Sequence, residues 1–200
     1  MTKVVKFPGP APKKFGLQRV GKKKAKAKEP DNLYQLPLFA GAKVIKLNQL
    51  STFEEALMHD ESHNLKSAKD LYQKAIFEGD NLADAYCNLG ILESEEGNHA
   101  KAIDCFTRCL KADPRHFEAH YNLANLYAEV GNYNLAKFHY GVSIEIEPSF
   151  PNSYFNLGLT LAINKEFDEA VKKLYAYREL TSGEDHSDTD NLIKQLTIVP

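Results

Sequence analysis

Residues 83–116 read ADAYCNLGILESEEGNHAKAIDCFTRCLKADPRH, and their landmarks return at a fixed interval along the chain. Asn88-Leu89-Gly90 is followed by Asn122-Leu123-Ala124 and Asn156-Leu157-Gly158 at a spacing of 34. Ala68, Ala102, Ala136 and Ala170 keep that spacing, as do the bulky Tyr72, Phe106, Tyr140 and Leu174. Three columns in one register mark an internal repeat, and a period of this size marks an array of stacked units. Gly97 and Gly131 supply the permissive backbone where a first helix ends. Pro114 and Pro148 stop a second helix, because proline cannot continue one. A helix pair cannot bury its apolar face alone, so neighbouring pairs must stack.

The period and residue types resemble the tetratricopeptide-repeat (TPR) family, whose repeat is a 34-residue helix–turn–helix. Repeats at 49–82, 83–116, 117–150 and 151–184 carry the resemblance. The second has Tyr86, Leu89, Gly90, Ala102, Phe106 and Pro114 at family positions, and the third has Leu123, Ala124, Tyr127, Ala136, Tyr140 and Pro148. The fourth keeps Tyr154, Leu157, Gly158 and Ala170, then departs at Tyr177, where a small residue is usual. The first departs at Thr52 and Glu55, where large apolar residues are usual, and fits again at Ala68, Tyr72 and Ala75. The resemblance implies an all-α fold: a right-handed superhelix of four TPR units. Small residues in the Gly90 and Ala102 columns let the two helices of a unit approach, and the aromatic column fills the groove between them. After the breaker Ser182-Gly183, residues 185–200 are expected to form a capping helix, with Leu192, Ile193 and Leu196 covering the last repeat.

The charge is unevenly spread. The net value is -2, yet residues 1–28 hold ten Lys or Arg and no Asp or Glu, leaving the remainder at -12. A basic tail on an acidic body attracts its own body as readily as it attracts partners. Residues 1–32 read as a basic, disordered tail, with a compact run at Lys22, Lys23, Lys24, Lys26 and Lys28. That run suits contact with nucleic-acid or ribosomal phosphates, a nuclear-import signal if the source is a eukaryote, or simple solubilisation. Residues 33–48 are apolar, interrupted by Pro37 and Gly41: an extended segment, either packed over the first repeat or left as a docking motif. No secretory h-region or membrane-length apolar stretch is present, and three cysteines suit a reducing compartment, so a cytoplasmic protein is expected.

In TPR superhelices the first helix of each unit lines the inner groove. There Asn88, Asn122 and Asn156 share one position, which resembles the asparagine ladder in the TPR region of O-linked N-acetylglucosamine transferase. The amide both donates and accepts, so it pairs with peptide backbone whatever the sequence. Asp84, Glu118, Glu95 and Glu129 fall at inward positions, with Tyr121, Asn125 and Phe155 beside them. An acidic, aromatic groove departs from the carboxylate-clamp TPRs that grip acidic chaperone tails, and it favours a basic or neutral peptide. The chain's own residues 1–28 are one candidate occupant.

Other motifs carry less. His59-Asp60-Glu61-Ser62-His63 resembles a zinc-protease helix, but its second residue is Asp and no third ligand is evident. Cys105, Cys109, His116 and His120 have zinc-like spacings, yet the repeat assigns them core positions, and Cys87 falls on the groove. Neither a phosphate-cradling glycine loop nor a nucleophile triad is present, so no catalysis, cofactor or metal is expected. The leading reading is a protein–protein interaction adaptor that binds a peptide or helix. The alternative is a TPR module tethered to nucleic-acid machinery by its tail.

Overall fold

The computed structural model describes residues 16–21 and 50–198. Among them are nine α-helices and no named strand. They pair as α1 (Thr52–Glu61) with α2 (Leu65–Glu78), α3 (Leu82–Glu95) with α4 (His99–Ala112), α5 (Phe117–Glu129) with α6 (Tyr133–Ile146), and α7 (Pro151–Ile163) with α8 (Phe167–Leu180); α9 (Ser187–Thr197) follows. Each helix packs on its neighbours in the chain, and α3 also touches α5, as α5 touches α7. The first helices therefore form one continuous inner layer of the expected all-α superhelix. None of the described helices is long and apolar enough to cross a membrane.

The repeat columns are the packing. Ala68, Ala102, Ala136 and Ala170 are fully buried, and so are Tyr72, Phe106, Tyr140 and Leu174. At Gly90 a Cβ would sit 2.8 Å from the Phe106 ring, so the glycine is what permits this approach of α3 to α4. Ser51 starts α1 with a reciprocal capping box: its Oγ accepts from Glu54 N, and its own N donates to Glu54 Oε2. At the far end Leu192, Ile193 and Leu196 of α9 pack into the cluster that holds Leu174 and Tyr177, sealing the last pair as anticipated.

The period also survives where the glycine does not. His63, Gly97, Gly131 and Lys165 stand 34 apart, and all adopt left-handed backbone, with φ of 57°, 79°, 80° and 66°. Each donates its N–H three residues back, to Asp60, Ser94, Ala128 and Ala162. The turn geometry is imposed by helix packing, and at two of its four sites a side chain tolerates it.

Candidate functional site: the concave groove

The groove is the face of α1, α3, α5 and α7, and an extended stretch of the chain's own tail lies along it. Asn122 Nδ2 donates to Gln18 O at 2.8 Å, and Gln18 N donates back to Asn122 Oδ1 at 2.7 Å. One repeat earlier, Asn88 Nδ2 donates to Val20 O and Val20 N donates to Asn88 Oδ1, both at 2.9 Å. One repeat is thus matched to a dipeptide, about 7 Å of extended chain. The segment runs from the third repeat towards the first. Upstream, Tyr121 Oη and Asn125 Nδ2 both donate to Gly16 O, at 3.0 and 3.2 Å.

Side chains add what the backbone cannot. Val20 is 2% exposed and joins the core cluster of Cys87, Ile91, Phe106 and Leu126. Arg19 Nη1 donates to Asp60 Oδ2 at 2.7 Å, while Nη2 bridges both oxygens of Glu95 at 2.8 Å. Asp60 is itself buried and also accepts from Tyr72 Oη at 3.1 Å. Tyr72 in turn accepts from Asn88 Nδ2, so the first ladder amide and the arginine pocket share one hydrogen-bonded unit. Burial, joined by the Asp60 carboxylate, pushes the Tyr72 phenol well above its usual range and keeps it a neutral donor. Tyr121 is likewise pushed up to about 12 by burial.

The sequence-predicted residues take different places. Asn88, Asn122, Tyr121 and Asn125 touch the segment. Asn156 Nδ2 donates to Tyr121 Oη at 3.0 Å and to Asn125 Oδ1 at 2.8 Å, bracing the two groups that hold Gly16. Phe155 packs on Tyr177, ring centroids 5.0 Å apart, and is 6% exposed. Asp84 and Glu118 were expected as groove charges, but both are drawn to His116: Asp84 Oδ1 lies 3.0 Å from Nε2 and Glu118 Oε2 3.3 Å from Nδ1. Burial works against a charged His116, yet Asp84, Cys109 and Glu118 together outweigh it and raise the imidazole to about 10. Lys22, Lys23, Lys24, Lys26 and Lys28, and the apolar segment 33–48, lie outside the described residues. Of the tail, Gly16–Gly21 is what the structure places, and it lies in the groove rather than apart from it.

Sequence reasoning missed Asp60 as a groove residue. It stands in the His59–His63 stretch, read above only for its likeness to a zinc motif. The four residues with zinc-like spacing do not assemble. Cys105 joins the cluster of the first helices, and His120 Nδ1 faces His139 Nδ1 at 2.9 Å. The metal-capable group among the described residues is instead Cys87, Cys109 and His116, with ligand atoms all within 4.8 Å of one another.

Comparison with known proteins agrees with this fold. One tetratricopeptide-repeat family model matches residues 83–116, and a second matches 105–138 and 139–172. Among solved structures, MamA superposes with a TM-score of 0.61 at 16% identity, covering 73% of this chain and 84% of that one. The first TPR domain of Spaghetti, bound to an HSP90 peptide, gives 0.54 at 21% identity, with 57% and 90% covered. The TPR2B domain of yeast Sti1, in its pHsp70 complex, gives 0.53 at 20% identity, with 57% and 95% covered. Comparison with curated protein sequences gave no match. The family models together span residues 83–172, and the solved structures share the fold, so these residues are tetratricopeptide repeats.

Proposed function

We propose that this protein is a non-enzymatic interaction adaptor whose concave groove takes an extended peptide with an arginine followed by an apolar residue. In this reading Gly16–Gly21 is both the template of the ligand and its competitor. The observation that carries it is the pair of reciprocal amide–backbone contacts, Asn122 on Gln18 and Asn88 on Val20. Such contacts hold backbone without regard to sequence, while Asp60 and Glu95 supply selectivity for a planar cation. The peptide complexes of the Spaghetti and Sti1 domains lend support, since the same fold holds a ligand there. The charge preference here is the reverse of an acidic-tail clamp. The nucleic-acid alternative rests on the tail's lysines, because its described cation, Arg19, is committed to protein carboxylates.

Removing residues 1–21 should open the groove. A labelled Gly-Leu-Gln-Arg-Val-Gly peptide, followed by fluorescence anisotropy, is expected to bind the shortened protein and to bind the full chain at least about tenfold more weakly, since it must displace the tail. A peptide with Glu in place of Arg should bind neither. Equal affinity of the Arg and Glu peptides, or no binding to a shortened protein that keeps its helical circular dichroism, would overturn the proposal.

A further inference from the structure

Beneath the groove floor, three donors from three helices converge. Cys87 comes from α3, Cys109 from α4, and His116 is the N-cap of α5. Both sulfurs and a ring nitrogen of His116 lie within 4.8 Å of one another, all buried. The fold does not require this. One period on, the same positions hold Tyr121, Ser143 and Phe150, and two of them form an edge-to-face aromatic pair with centroids 5.1 Å apart. One period back they hold Phe53, Ala75 and Leu82. Only the second repeat places two thiols and an imidazole at these three positions. Carboxylates flank the ring as well: Asp84 Oδ1 is 3.0 Å from Nε2, and Glu118 Oε2 is 3.3 Å from Nδ1.

We propose that Cys87, Cys109 and His116 are three ligands of a zinc(II) site. Two thiolates and an imidazole are donors this borderline-soft ion takes. A hard cation would find too few oxygens. The protons balance simply. Both thiols lose theirs to solvent, and His116 Nε2 gives up its proton and its bond to Asp84 and turns its lone pair to the ion. Nδ1 then holds the ring's one proton towards Glu118 Oε2, giving up the N-cap contact in which it accepts from Ala119 N–H, and this carboxylate–histidine arrangement fixes a ligating ring. The ion would tie α3, α4 and α5 together directly under the ladder, because Cys87 Sγ lies 3.7 Å from Asn122 Nδ2.

The test uses the full chain, stripped with chelator under reducing conditions and titrated with cobalt(II). One equivalent should give thiolate-to-cobalt charge transfer with tetrahedral d–d bands, bleached by one equivalent of zinc, and zinc should raise the melting temperature. Cys105→Ala should behave like wild type, and Cys109→Ala should lose both the bands and the zinc-dependent shift. The wild-type spectrum decides the question even if Cys109→Ala fails to fold. Saturating cobalt without thiolate charge transfer in the reduced wild-type protein would overturn the site. So would retention of the full signal in Cys109→Ala.

Discussion

Asn122 and Asn156 occupy one column of the repeat and are both buried, yet they do different things. Asn122 spends its amide on the backbone of Gln18, whereas Asn156 turns its donors onto Tyr121 and Asn125. The cause lies one repeat earlier in each case. Beneath Asn122 the second repeat presents Cys87, a weak acceptor at 3.7 Å, and the apolar Ile91. Beneath Asn156 the third repeat presents, at the same two positions, Tyr121 and Asn125, both strong acceptors. A repeated asparagine is therefore a positioned amide, and its neighbours decide where its N–H donors go.

The largest expected effect breaks the comparison directly. In the protein lacking residues 1–21, Asn88→Ala/Asn122→Ala removes four hydrogen bonds to the peptide backbone. At about 0.5–1 kcal/mol net for each, affinity for the Gly16–Gly21 peptide should fall about 100-fold by anisotropy. Asn156→Ala should weaken the same peptide only about threefold, through loosening of Tyr121 and Asn125. Equal losses from the two variants would mean that the column acts as one ladder and that the local acceptors are irrelevant.

Tyr121→Phe sharpens the same point at smaller scale. It removes a donor to Gly16 O and an acceptor for Asn156 Nδ2 together. Peptide affinity should fall about fivefold, and stability by about 1 kcal/mol in urea melts, because a buried amide proton loses its partner. If only affinity changes, Asn156 has found another acceptor and is not tied to the third repeat.

Acid offers a way to loosen the third repeat without touching Asn88. His120 of α5 and His139 of α6 face each other through Nδ1 atoms 2.9 Å apart, a contact with room for one proton. Burial lowers His139 to about 4, with His120 adding to the shift, and burial also lowers His120, with His116 contributing. A depressed folded-state value means the unfolded chain takes up protons first, near pH 6.5. The stability these groups contribute is thus present above about pH 6.5 and lost as pH falls towards about 4. Thermal melts at pH 7 and pH 4.5 should show His139→Phe losing less stability across that interval than wild type. Other carboxylate pairs titrate alike in both proteins, so the difference isolates the histidines.

How much of this was legible beforehand follows from what a period can encode. The alanine and aromatic columns, the Gly90 contact and the α9 seal are properties of one repeat against the next, so spacing reveals them. The shared position of Asn88, Asn122 and Asn156 was legible for the same reason. Asp60 with Arg19 was not: the pair joins residues 41 apart in different elements, and no period relates them. Nor was the approach of Asp84 and Glu118 to the buried His116 ring. Cys87 meeting Cys109 and His116 was hidden because each residue taken alone fits its repeat position.

The turn column carries the comparison to its smallest effect and reverses its sign. At Lys165 the backbone is left-handed, as at Gly131, but here a side chain bears the strain. A non-glycine residue in that region costs about 1–2 kcal/mol, while glycine gives back about 0.5–1 kcal/mol through the greater freedom of the unfolded chain. Lys165→Gly should therefore stabilise the protein by about 0.5 kcal/mol, and Gly131→Lys should destabilise it by a similar amount or somewhat more. Chemical melts of both variants check this, and peptide affinity should stay unchanged in each, since neither position touches the segment. A neutral Lys165→Gly would mean that the fourth repeat relaxes its turn where the second and third cannot. Repeat position would then set turn geometry no more rigidly than it sets the use of the asparagine amide.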